Sequence, residues 1–362
     1  MSDVIFVGQN WNGAGLNIRT KFSKGGGTWT HKYQGQGDGS GVHSHPAHIG
    51  DVNGDGKADL VFVGQNWNGA GLNIRTKLSN GDGTWTHKYQ VQGDGSGVHV
   101  YPSHMGDVNG DGMADLIFVG QNWNGAGLNI RTKLSNGDGT WVHKYQVQGD
   151  GSGVHVYPSH VGDVNGDGKT DLIFIGQNWN GAGLNIRTKL SNGDGTWTHK
   201  SQVLGDGSGV HTHPSHIGDV NGDGKADLVF VGQNWSGAGL NIRTKLSNGD
   251  GSWTPKYQAL GDGSGVHRYP SHIGDVNGDG KADLVFVGQN WSGGGLNIRT
   301  KLSNGDGTWM ALHEVLGDGS GVHTHPALTG DFNNDDKRDI LFVGQNWSGV
   351  NLNMRTKFAQ FF

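Results

Sequence analysis

The chain has 362 residues, a length that suits two ordinary domains or one array of small repeats. It is rich in glycine (69 residues) and has no cysteine, so disulfides cannot hold its fold together. The formal net charge is −5, and the sequence has no basic stripe, which argues against nucleic acid as a partner.

One sequence unit recurs along almost the whole chain. Its copies are always 56 residues apart and begin at Asp51, Asp107, Asp163, Asp219, Asp275 and Asp331, with partial units at both ends. Spacing without insertions predicts that every unit occupies an equivalent place in an array. We therefore expect a single domain of tandem repeats over residues 1–362.

Each unit predicts four short strands. ADLVFVG is a continuous apolar run, typical of a buried strand, and LNIRTKLS alternates apolar and polar residues, typical of a half-buried one. NGDG predicts a hairpin turn because Asn-Gly and Asp-Gly favour positive φ. TWTHKYQ predicts a third strand, and VHVYPSHIG supplies a fourth as it leads into the next unit. Four strands per unit of this length predict an all-β fold, a β-propeller.

The number of blades follows from how often each strand occurs. The ADLVFVG and LNIRTK strands occur seven times, whereas the TWTHKYQ and PSHIG strands occur six times. Seven blades place every copy but leave two strands missing at the ends, and six blades leave two strands over. We predict seven, with six blades as the alternative. An open β-solenoid is a further alternative, although its units are usually shorter.

The loop DVNGDGKAD has the composition of a calcium site. Oxygen donors stand at its positions 1, 3, 5 and 9, glycine at position 6 allows a sharp turn, and position 7 can offer its carbonyl. An EF-hand is excluded, since Phe62 replaces the glutamate at position 12 and no helices flank the loop. The predicted structural Ca²⁺ ligands are Asp51, Asn53, Asp55, Lys57, Asp59; Asp107, Asn109, Asp111, Met113, Asp115; Asp163, Asn165, Asp167, Lys169, Asp171; Asp219, Asn221, Asp223, Lys225, Asp227; Asp275, Asn277, Asp279, Lys281, Asp283; and Asp331, Asn333, Asp335, Lys337, Asp339.

Two copies of this loop differ from the others. Met113 replaces lysine at position 7, which fits a carbonyl ligand because the side chain is then irrelevant. Asp336 replaces the turn glycine in the last copy, so that loop is expected to bind differently. Asx-rich turns without metal are the alternative interpretation of all six loops.

This repeat pattern, GD-V-N-G-D-G-x-x-D-L-x-x-x-G, resembles that of the FG-GAP/VCBS propellers, which include integrin-type heads and fungal lectins of the Psathyrella velutina type. The resemblance covers nearly the whole chain. It implies a metal loop between the first two strands of a blade, and the lectin members imply N-acetylglucosamine-type sugars bound in clefts between blades. The tryptophan–arginine loop motif of those lectins is absent from this sequence.

Two recurring loops are candidates for binding sugar. In GQNWNGAG, a tryptophan face beside amides suits the apolar face and the hydroxyls of a sugar; the residues are Trp11, Trp67, Trp123, Trp179, Trp235, Trp291 and Trp347, with Asn66 and Asn122. In GDGSGVH, carboxylate and imidazole can bond sugar hydroxyls; the residues are Asp38, Asp94, Asp150, Asp206, Asp262 and Asp318, and His43, His99, His155, His211, His267 and His323. For each loop, a structural role for these side chains is the alternative.

Two further sets of side chains are assigned structural roles. The tryptophans that open the TW strands (Trp29, Trp85, Trp141, Trp197, Trp253 and Trp309) are expected between blades. The histidines of the PSH motif are expected to support the strand that follows them.

Because all copies carry the same residues, the sequence predicts a multivalent lectin rather than an enzyme. Several weak equivalent sites gain avidity, whereas an active site needs unequal groups. The rivals are a protein-binding adhesion propeller and a polysaccharide-active propeller enzyme. The expected partners are glycans or glycoconjugates, without nucleic acid, and a homo-oligomer is an open alternative.

The N-terminal segment lacks the pattern of a signal peptide, and no apolar run reaches the ~20 residues of a membrane helix. We therefore expect a cytoplasmic or non-classically secreted protein without membrane insertion.

Overall fold

The fold was analysed on a computed structural model of the chain. The structure describes residues 1–9, 15–37, 42–65, 71–94, 97–121, 127–150, 153–178, 181, 183–207, 209–233, 239–262, 265–289, 295–317, 322–345 and 352–359. These residues form seven antiparallel sheets, and their only helical segments are three-residue 3-10 turns. The chain is a seven-bladed β-propeller of repeats of about 56 residues.

Four classes of strand recur, each with its own sequence. The short strands before the metal loops are β4 (Ala47–Gly50), β8 (Ser103–Gly106), β12 (Ser159–Gly162), β16 (Ser215–Gly218), β20 (Ser271–Gly274) and β24 (Ala327–Gly330). The apolar strands after those loops are β1 (Val4–Gln9), β5 (Asp59–Gln65), β9 (Asp115–Gln121), β13 (Asp171–Gln177), β17 (Asp227–Gln233), β21 (Asp283–Gln289) and β25 (Asp339–Gln345).

The other two classes form the second half of each sheet. The LNIRTK strands are β2 (Leu16–Ser23), β6 (Leu72–Ser79), β10 (Leu128–Ser135), β14 (Leu184–Ser191), β18 (Leu240–Ser247), β22 (Leu296–Ser303) and β26 (Leu352–Lys357). The strands opened by tryptophan are β3 (Trp29–Gln36), β7 (Trp85–Gln92), β11 (Trp141–Gln148), β15 (Trp197–Leu204), β19 (Trp253–Leu260) and β23 (Trp309–Leu316). A 3-10 turn precedes each short strand, as at Val98–Val100.

Strands pair in chain order within every sheet. The second sheet is β4-β5-β6-β7, and the next four sheets repeat this arrangement, whereas the first (β1-β2-β3) and last (β24-β25-β26) have three strands among the described residues. The prediction of seven blades, incomplete at the two ends, is therefore confirmed, and the six-blade alternative is wrong. The short strand pairs with the apolar strand that follows it, as Ser103 does with Phe118, so it belongs to the next blade.

The NGDG segments form the turns predicted from sequence. In the second sheet, Gly81 and Gly83 both have φ near +80°, a conformation that side chains other than glycine rarely adopt. Asp82 Oδ1 accepts a hydrogen bond from the Thr84 amide at 2.9 Å. The turn fixes the register of β6 against β7, which pairs Ser79 with Trp85.

This register decides which side chains become neighbours. In the third sheet it pairs Arg131 with Tyr145 and Lys133 with His143 across β10 and β11. Because the side-chain period of a strand is two residues, these two pairs lie on the same face. The site described below depends on this placement.

Internal contacts divide the chain into two compact units. One comprises residues 4–21 and 31–205, and the other residues 1–3, 22–30 and 206–362. In the first unit, Val61 and Ile74 of one sheet pack with Phe118 and Trp141 of the next sheet. The second unit has the same arrangement, for example around Trp309. Each core therefore joins neighbouring sheets.

The tryptophans that open strands belong to these cores, as predicted. Five are almost fully buried: Trp85, Trp141, Trp197, Trp253 and Trp309. The sixth, Trp29, meets Phe332 edge-on, with ring centroids 5.5 Å apart.

In several sheets, a serine at the end of the LNIRTKLS strand ties the sheet to the metal loop of the preceding sheet. Ser135 Oγ donates to the Val52 carbonyl at 2.5 Å, and Ser191 Oγ to that of Val108 at 2.6 Å. In the second unit, Ser23 Oγ donates to the Phe332 carbonyl at 2.5 Å, which joins the first sheet to the last. We call this contact the serine latch.

In the part of the chain that the structure describes, no helix is long and apolar enough to cross a membrane.

Candidate functional site

The metal loops are organised by their own backbone. In the first, Asp51 Oδ1 accepts the Gly54 amide at 2.8 Å and its Oδ2 accepts the Gly56 amide at 2.7 Å. Asp55 is paired instead with Lys57, whose Nζ lies 2.8 Å from Asp55 Oδ2. The loop amides thus fix the Asp51 carboxylate, whereas a neighbouring lysine balances the charge of Asp55.

The last aspartate of each loop is a buried carboxyl group. Asp59 is fully buried, and its oxygens accept the amides of Val52 (3.0 Å) and Ser79 (2.7 Å). Burial, together with the smaller effect of the charges of Asp55 and Asp51, raises its pKa to about 6 against the opposing effect of the two amide hydrogen bonds. Burial likewise raises the pKa of Asp115, Asp171 and Asp227 to about 7. A cation beside these carboxyl groups would relieve the repulsion.

The loops fit Ca²⁺ in donor chemistry, since aspartate, asparagine and carbonyl oxygens are hard ligands. The described residues nevertheless contain no group of three or more His, Cys, Asp or Glu side chains close enough to share one metal ion. Calcium at the predicted ligands therefore stays a prediction.

The two divergent loops keep this general shape. Asp111 has no lysine partner, because Met113 replaces it, and accepts Asn109 Nδ2 at 2.8 Å instead. In the last copy, Asn334 and Asp336 replace glycines and still adopt φ of 68° and 63°. This left-handed conformation is costly for a side chain other than glycine.

Many of the predicted sugar-binding residues lie outside the described residues. They are Trp11, Trp67, Trp123, Trp179, Trp235, Trp291, Trp347, Asn66, Asn122, Asp38 and Asp318, and the side chain of His43 is also outside. Their role in sugar binding stays a prediction.

The GDG aspartates lie in buried ion pairs that the sequence analysis missed. Asp94 contacts Nζ of Lys133 at 2.6 Å, and both side chains are nearly or fully buried. Burial alone would raise the pKa of Asp94, but hydrogen bonds from His143 and Lys133 outweigh it and keep that pKa below its ordinary value. Burial also lowers the pKa of Lys133 to about 8, against the opposing effect of Asp94.

A histidine of the tryptophan strand completes this cluster in the middle of the first unit. His143 Nδ1 lies 2.7 Å from Asp94 Oδ1 and also contacts Lys133 Nζ. The fourth sheet repeats the cluster, with Lys189 Nζ 2.5 Å from Asp150 and 2.6 Å from His199 Nδ1. The sequence signal for this cluster is the alternation of residues in TWTHKYQ and LNIRTK. It could not identify the cluster by itself, because the pairing of lysine with histidine depends on the register between the two strands.

The later sheets keep the ion pair and lose the histidine. Lys245 contacts Asp206 at 2.6 Å, and Lys301 contacts Asp262 at 2.5 Å. At the histidine position these sheets have Pro255 and Ala311. Substitutions that look scattered in the sequence thus fall on one structural position.

The histidines of GDGSGVH lie apart from these aspartates. No hydrogen bond between Asp and His of the same loop occurs among the described residues. The Nδ1 atoms of His99, His155, His211, His267 and His323 are buried without a hydrogen-bond partner in the described structure.

A polar pocket opens beside the third-sheet cluster. Its volume is about 470 Å³. It is lined by Gln90, Gln92, Gly93 and Asp94 from the second sheet and the connection after it, and by Arg131, Trp141, His143 and Tyr145 from the third sheet. We call it the interblade pocket.

The arginine of this pocket is held by aromatic faces. The Arg131 guanidinium carbon lies 5.7 Å from the ring centroid of Tyr145 and 5.6 Å from that of Tyr101. Tyr101 reaches this position because residue 120 is glycine; a Cβ there would lie 2.2 Å from the tyrosine ring. Tyr145 remains half exposed.

Arg131 has an unsatisfied donor. Its Nη1 is buried and has no hydrogen-bond partner, and the same holds for the equivalent Arg75, Arg187 and Arg243. A buried donor without a partner is costly, so these atoms mark places where a ligand oxygen would be favourable. The glutamines already bridge the sheets, since Gln90 Oε1 accepts the Trp141 amide at 2.7 Å.

The PSH histidines are structural, as predicted. His104 Nε2 lies 2.8 Å from Ser159 Oγ of the next sheet, and His48 and His216 make the same contact with Ser103 and Ser271. Burial lowers the pKa of His104 to about 4, with a smaller contribution from neighbouring histidines.

Comparison with solved structures finds matches of low similarity. A mutant of AofleA from Arthrobotrys oligospora has 13% identity and a TM-score of 0.43, with 88% of this chain and 84% of that chain covered. The α-L-arabinanase of Penicillium chrysogenum, in complex with arabinobiose, has 12% identity and a TM-score of 0.46, covering 87% and 99%. A mutant of the Aleuria aurantia lectin, in complex with Fucα1-6GlcNAc, has 16% identity and a TM-score of 0.40, covering 88% and 93%.

These likenesses carry no argument about the ligand of this chain. They do correct one prediction, that the chain is not an enzyme. The solved structures of similar fold include an arabinanase and the arabinofuranosidase of Fusarium graminearum as well as a lectin, so the fold does not exclude catalysis. No curated protein sequence matches the chain.

The comparison with protein families identifies the family to which the repeats belong. The model of the FG-GAP-like repeat matches residues 51–118, 107–174, 163–230, 219–286 and 275–342, which together cover 51–342 without a break. The chain therefore belongs to the family of FG-GAP-like repeat proteins.

Proposed function

We propose that the chain binds carbohydrate in its interblade pockets. The observation that carries the proposal is the buried, unpartnered Nη1 of Arg131 in a polar pocket of about 470 Å³ beside a half-exposed tyrosine. A sugar offers the matching surfaces, because its hydroxyl and carbonyl oxygens accept N–H donors and its C–H face packs on an aromatic ring.

Each residue of the pocket would make a different contact with the sugar. Arg131 donates to a ligand oxygen, Tyr145 offers its ring face, and Asp94 and His143 supply an acceptor and an imidazole for hydroxyl groups. An N-acetyl group suits this set, since its carbonyl can accept from Arg131. N-acetylglucosamine and related terminal sugars are therefore the first ligands to test.

The repeat would make binding multivalent. The register that builds this pocket also places Arg75 opposite Tyr89 in the second sheet, on the same face as His87. In the fourth sheet Arg187 and His199 keep these places, and Ser201 takes the place of the tyrosine. Several weak sites that engage one surface together gain roughly 10² to 10⁴ in apparent affinity. In this proposal, the pockets with histidine are the sugar sites.

Calcium has a structural role in the proposal. The predicted ligands of each loop, such as Asp51, Asn53, Asp55, the Lys57 carbonyl and Asp59, would hold one ion that neutralises the buried Asp59. Because Ca²⁺ would bind the folded chain and not the unfolded chain, it would stabilise the folded chain. Addition of EDTA should then lower the melting temperature.

A glycan array with isothermal titration calorimetry tests the proposal. We expect the wild-type protein to bind a narrow set of terminal sugars. The Tyr145→Ala variant should bind each of them more weakly, and because Tyr145 is half exposed, this change leaves the core intact. Tyr257→Ala, at a comparably exposed tyrosine of the fifth sheet, where Pro255 replaces the histidine, is the control for surface effects. Folded wild-type protein, with calcium present, that binds no glycan would refute the proposal.

A further inference from the structure

The core of the sixth sheet differs from the other cores in one member. The cores of the second, third and fifth sheets each include a tryptophan from the next sheet: Trp141, Trp197 and Trp309. The sixth core repeats their aliphatic residues, with Val276, Val285 and Ile298 at the equivalent positions. Among the described residues no tryptophan belongs to it, and Ala359 is packed there instead.

A cavity lies at this place, within the second compact unit. Its volume is about 230 Å³. Val276, Val285, Ile298, Thr300 and Ile340 line it, together with Glu314, Leu316, Arg338, Thr356, Lys357, Phe358 and Ala359. The first four are the equivalents of Val52, Val61, Ile74 and Thr76 around Trp141, so the cavity repeats the surroundings of an indole.

The cavity also keeps the polar partner of an indole N–H. In the filled cores, the tryptophan Nε1 donates to a threonine hydroxyl, as Trp141 does to Thr76 at 3.2 Å and Trp309 to Thr244 at 3.1 Å. Thr300 occupies this position in the sixth sheet and is 1% exposed. Its side chain lines the cavity.

One residue of the cavity lining differs from its equivalent in the fifth sheet, and this difference favours a ligand with an N–H donor beside the indole. In the fifth sheet, Gln258 accepts the Trp309 amide at 2.6 Å and donates to its carbonyl at 3.0 Å. Glu314 replaces this glutamine in the sixth sheet. A carboxylate keeps the accepting half of this interaction and gives up the donating half.

We propose that the sixth sheet binds an indole ligand that carries an N–H donor next to the ring system. The indole fills the apolar cavity, its ring N–H donates to Thr300, and the second N–H donates to Glu314. A tryptophan residue has both groups, so the ligand is a tryptophan derivative or a tryptophan in an extended peptide. The proposal is independent of sugar binding.

Calorimetry with two probes tests it. N-acetyl-L-tryptophanamide represents the free small molecule, and a peptide with the sequence of residues 80–92 represents a tryptophan on a strand. We expect binding of at least one probe at one site per chain, with a Kd on the order of 0.1 mM for the amide. Binding of the peptide alone would identify a strand as the natural ligand. N-acetyl-L-leucinamide should not bind.

Two variants and a matched control separate the site from general effects. Thr300→Val should weaken binding about tenfold because it removes the acceptor, and Ile298→Trp should abolish binding because it fills the cavity. Thr244→Val changes the equivalent hydroxyl in a filled core and should leave probe binding unchanged. Failure of both probes to bind the folded wild-type chain, or equal affinity in Ile298→Trp, would overturn the proposal.

Discussion

The pockets of the earlier and the later sheets share a backbone but differ in their polar side chains. In the third and fourth sheets, the buried lysine meets both an aspartate and a histidine, His143 or His199. In the fifth and sixth sheets, the lysine–aspartate pair remains, and Pro255 or Ala311 takes the histidine position. The ion pair is thus present in all four of these sheets, whereas the histidine is present in two. We therefore infer a structural role for the lysine–aspartate pair, and the proposed sugar sites are the pockets that keep the histidine.

The largest expected effect comes from removing the buried lysine in each region. Lys301→Met leaves Asp262 with only the more distant guanidinium of Arg299, whose Nη1 lies 4.0 Å from Asp262 Oδ1, and should lower the free energy of unfolding by about 3–5 kcal/mol. Lys133→Met should cost less, since His143 Nδ1 lies 2.7 Å from Asp94 Oδ1 and can donate a hydrogen bond to it when the lysine is absent.

Denaturant unfolding of both variants checks this difference. The double variant Lys133→Met/His143→Ala should lose more stability than Lys133→Met, because Asp94 then keeps neither of its two partners. Equal losses in Lys133→Met and Lys301→Met, or no further loss in the double variant, would remove the distinction between the two regions.

The next effect concerns ligand binding at the arginine. Arg131→Met should remove one sugar site, because a hydrogen bond from a charged donor contributes about 1.5–3 kcal/mol, enough to weaken a millimolar site beyond detection. Arg299→Met should leave the number of sites unchanged. The Nη1 of Arg299 already donates to the Asp262 carbonyl, and its sheet lacks the histidine.

The stoichiometry from calorimetry distinguishes these outcomes. Loss of a site in Arg299→Met would mean that the later pockets also bind sugar, and the comparison drawn above would fail.

A smaller effect is expected from acid. The pKa of His104 is lowered to about 4 in the folded chain. Between the ordinary histidine pKa and about 4, the unfolded chain therefore binds more protons than the folded chain, and the free energy of unfolding falls as the pH falls. This histidine alone should cost about 1 kcal/mol at about pH 5.5. Unfolding of His104→Gln at pH 7.5 and 5.5 should show a smaller acid-induced loss than the wild type; an unchanged loss would contradict this account.

The smallest effect again contrasts an earlier sheet with a later one. His104 contacts Ser159, but the equivalent His272 faces Ala327, and its Nε2 is buried without a partner among the described residues. Ala327→Ser should therefore raise stability by about 0.5–1.5 kcal/mol, and Ser159→Ala should lower it by a similar amount. Thermal unfolding of both variants measures the pair, and destabilisation by Ala327→Ser would show that His272 does not need a hydroxyl.

The fold could be predicted from sequence because its signals are local. The NGDG turns, the alternation of LNIRTKLS and the constant spacing define strands and blades without knowledge of distant contacts. The incomplete first and last sheets followed from counting strand types.

The candidate pocket could not be predicted in the same way. Lys133, His143 and Asp94 come from three segments, and only the pairing of Lys133 with His143 and the packing of the preceding connection bring them together. From sequence, Asp94 could be grouped only with His99 of the same loop, as a candidate for binding sugar. The buried lysine was missed since lysine is almost never fully buried unless it is paired. Pro255 and Glu314 acquire meaning only through their positions in the sheets.

The serine latch has a consequence for how the chain unfolds. Each latch joins a strand end in one sheet to the metal loop of the preceding sheet, as Ser135 does with Val52, so loss of one sheet also removes the support of a neighbouring loop. Units that stabilise one another only through nearest neighbours behave as a one-dimensional cooperative chain. Ser23 makes the same contact with the Phe332 carbonyl. Each latch therefore adds to the coupling that the shared apolar cores already provide, and it makes the unfolding of neighbouring units more cooperative.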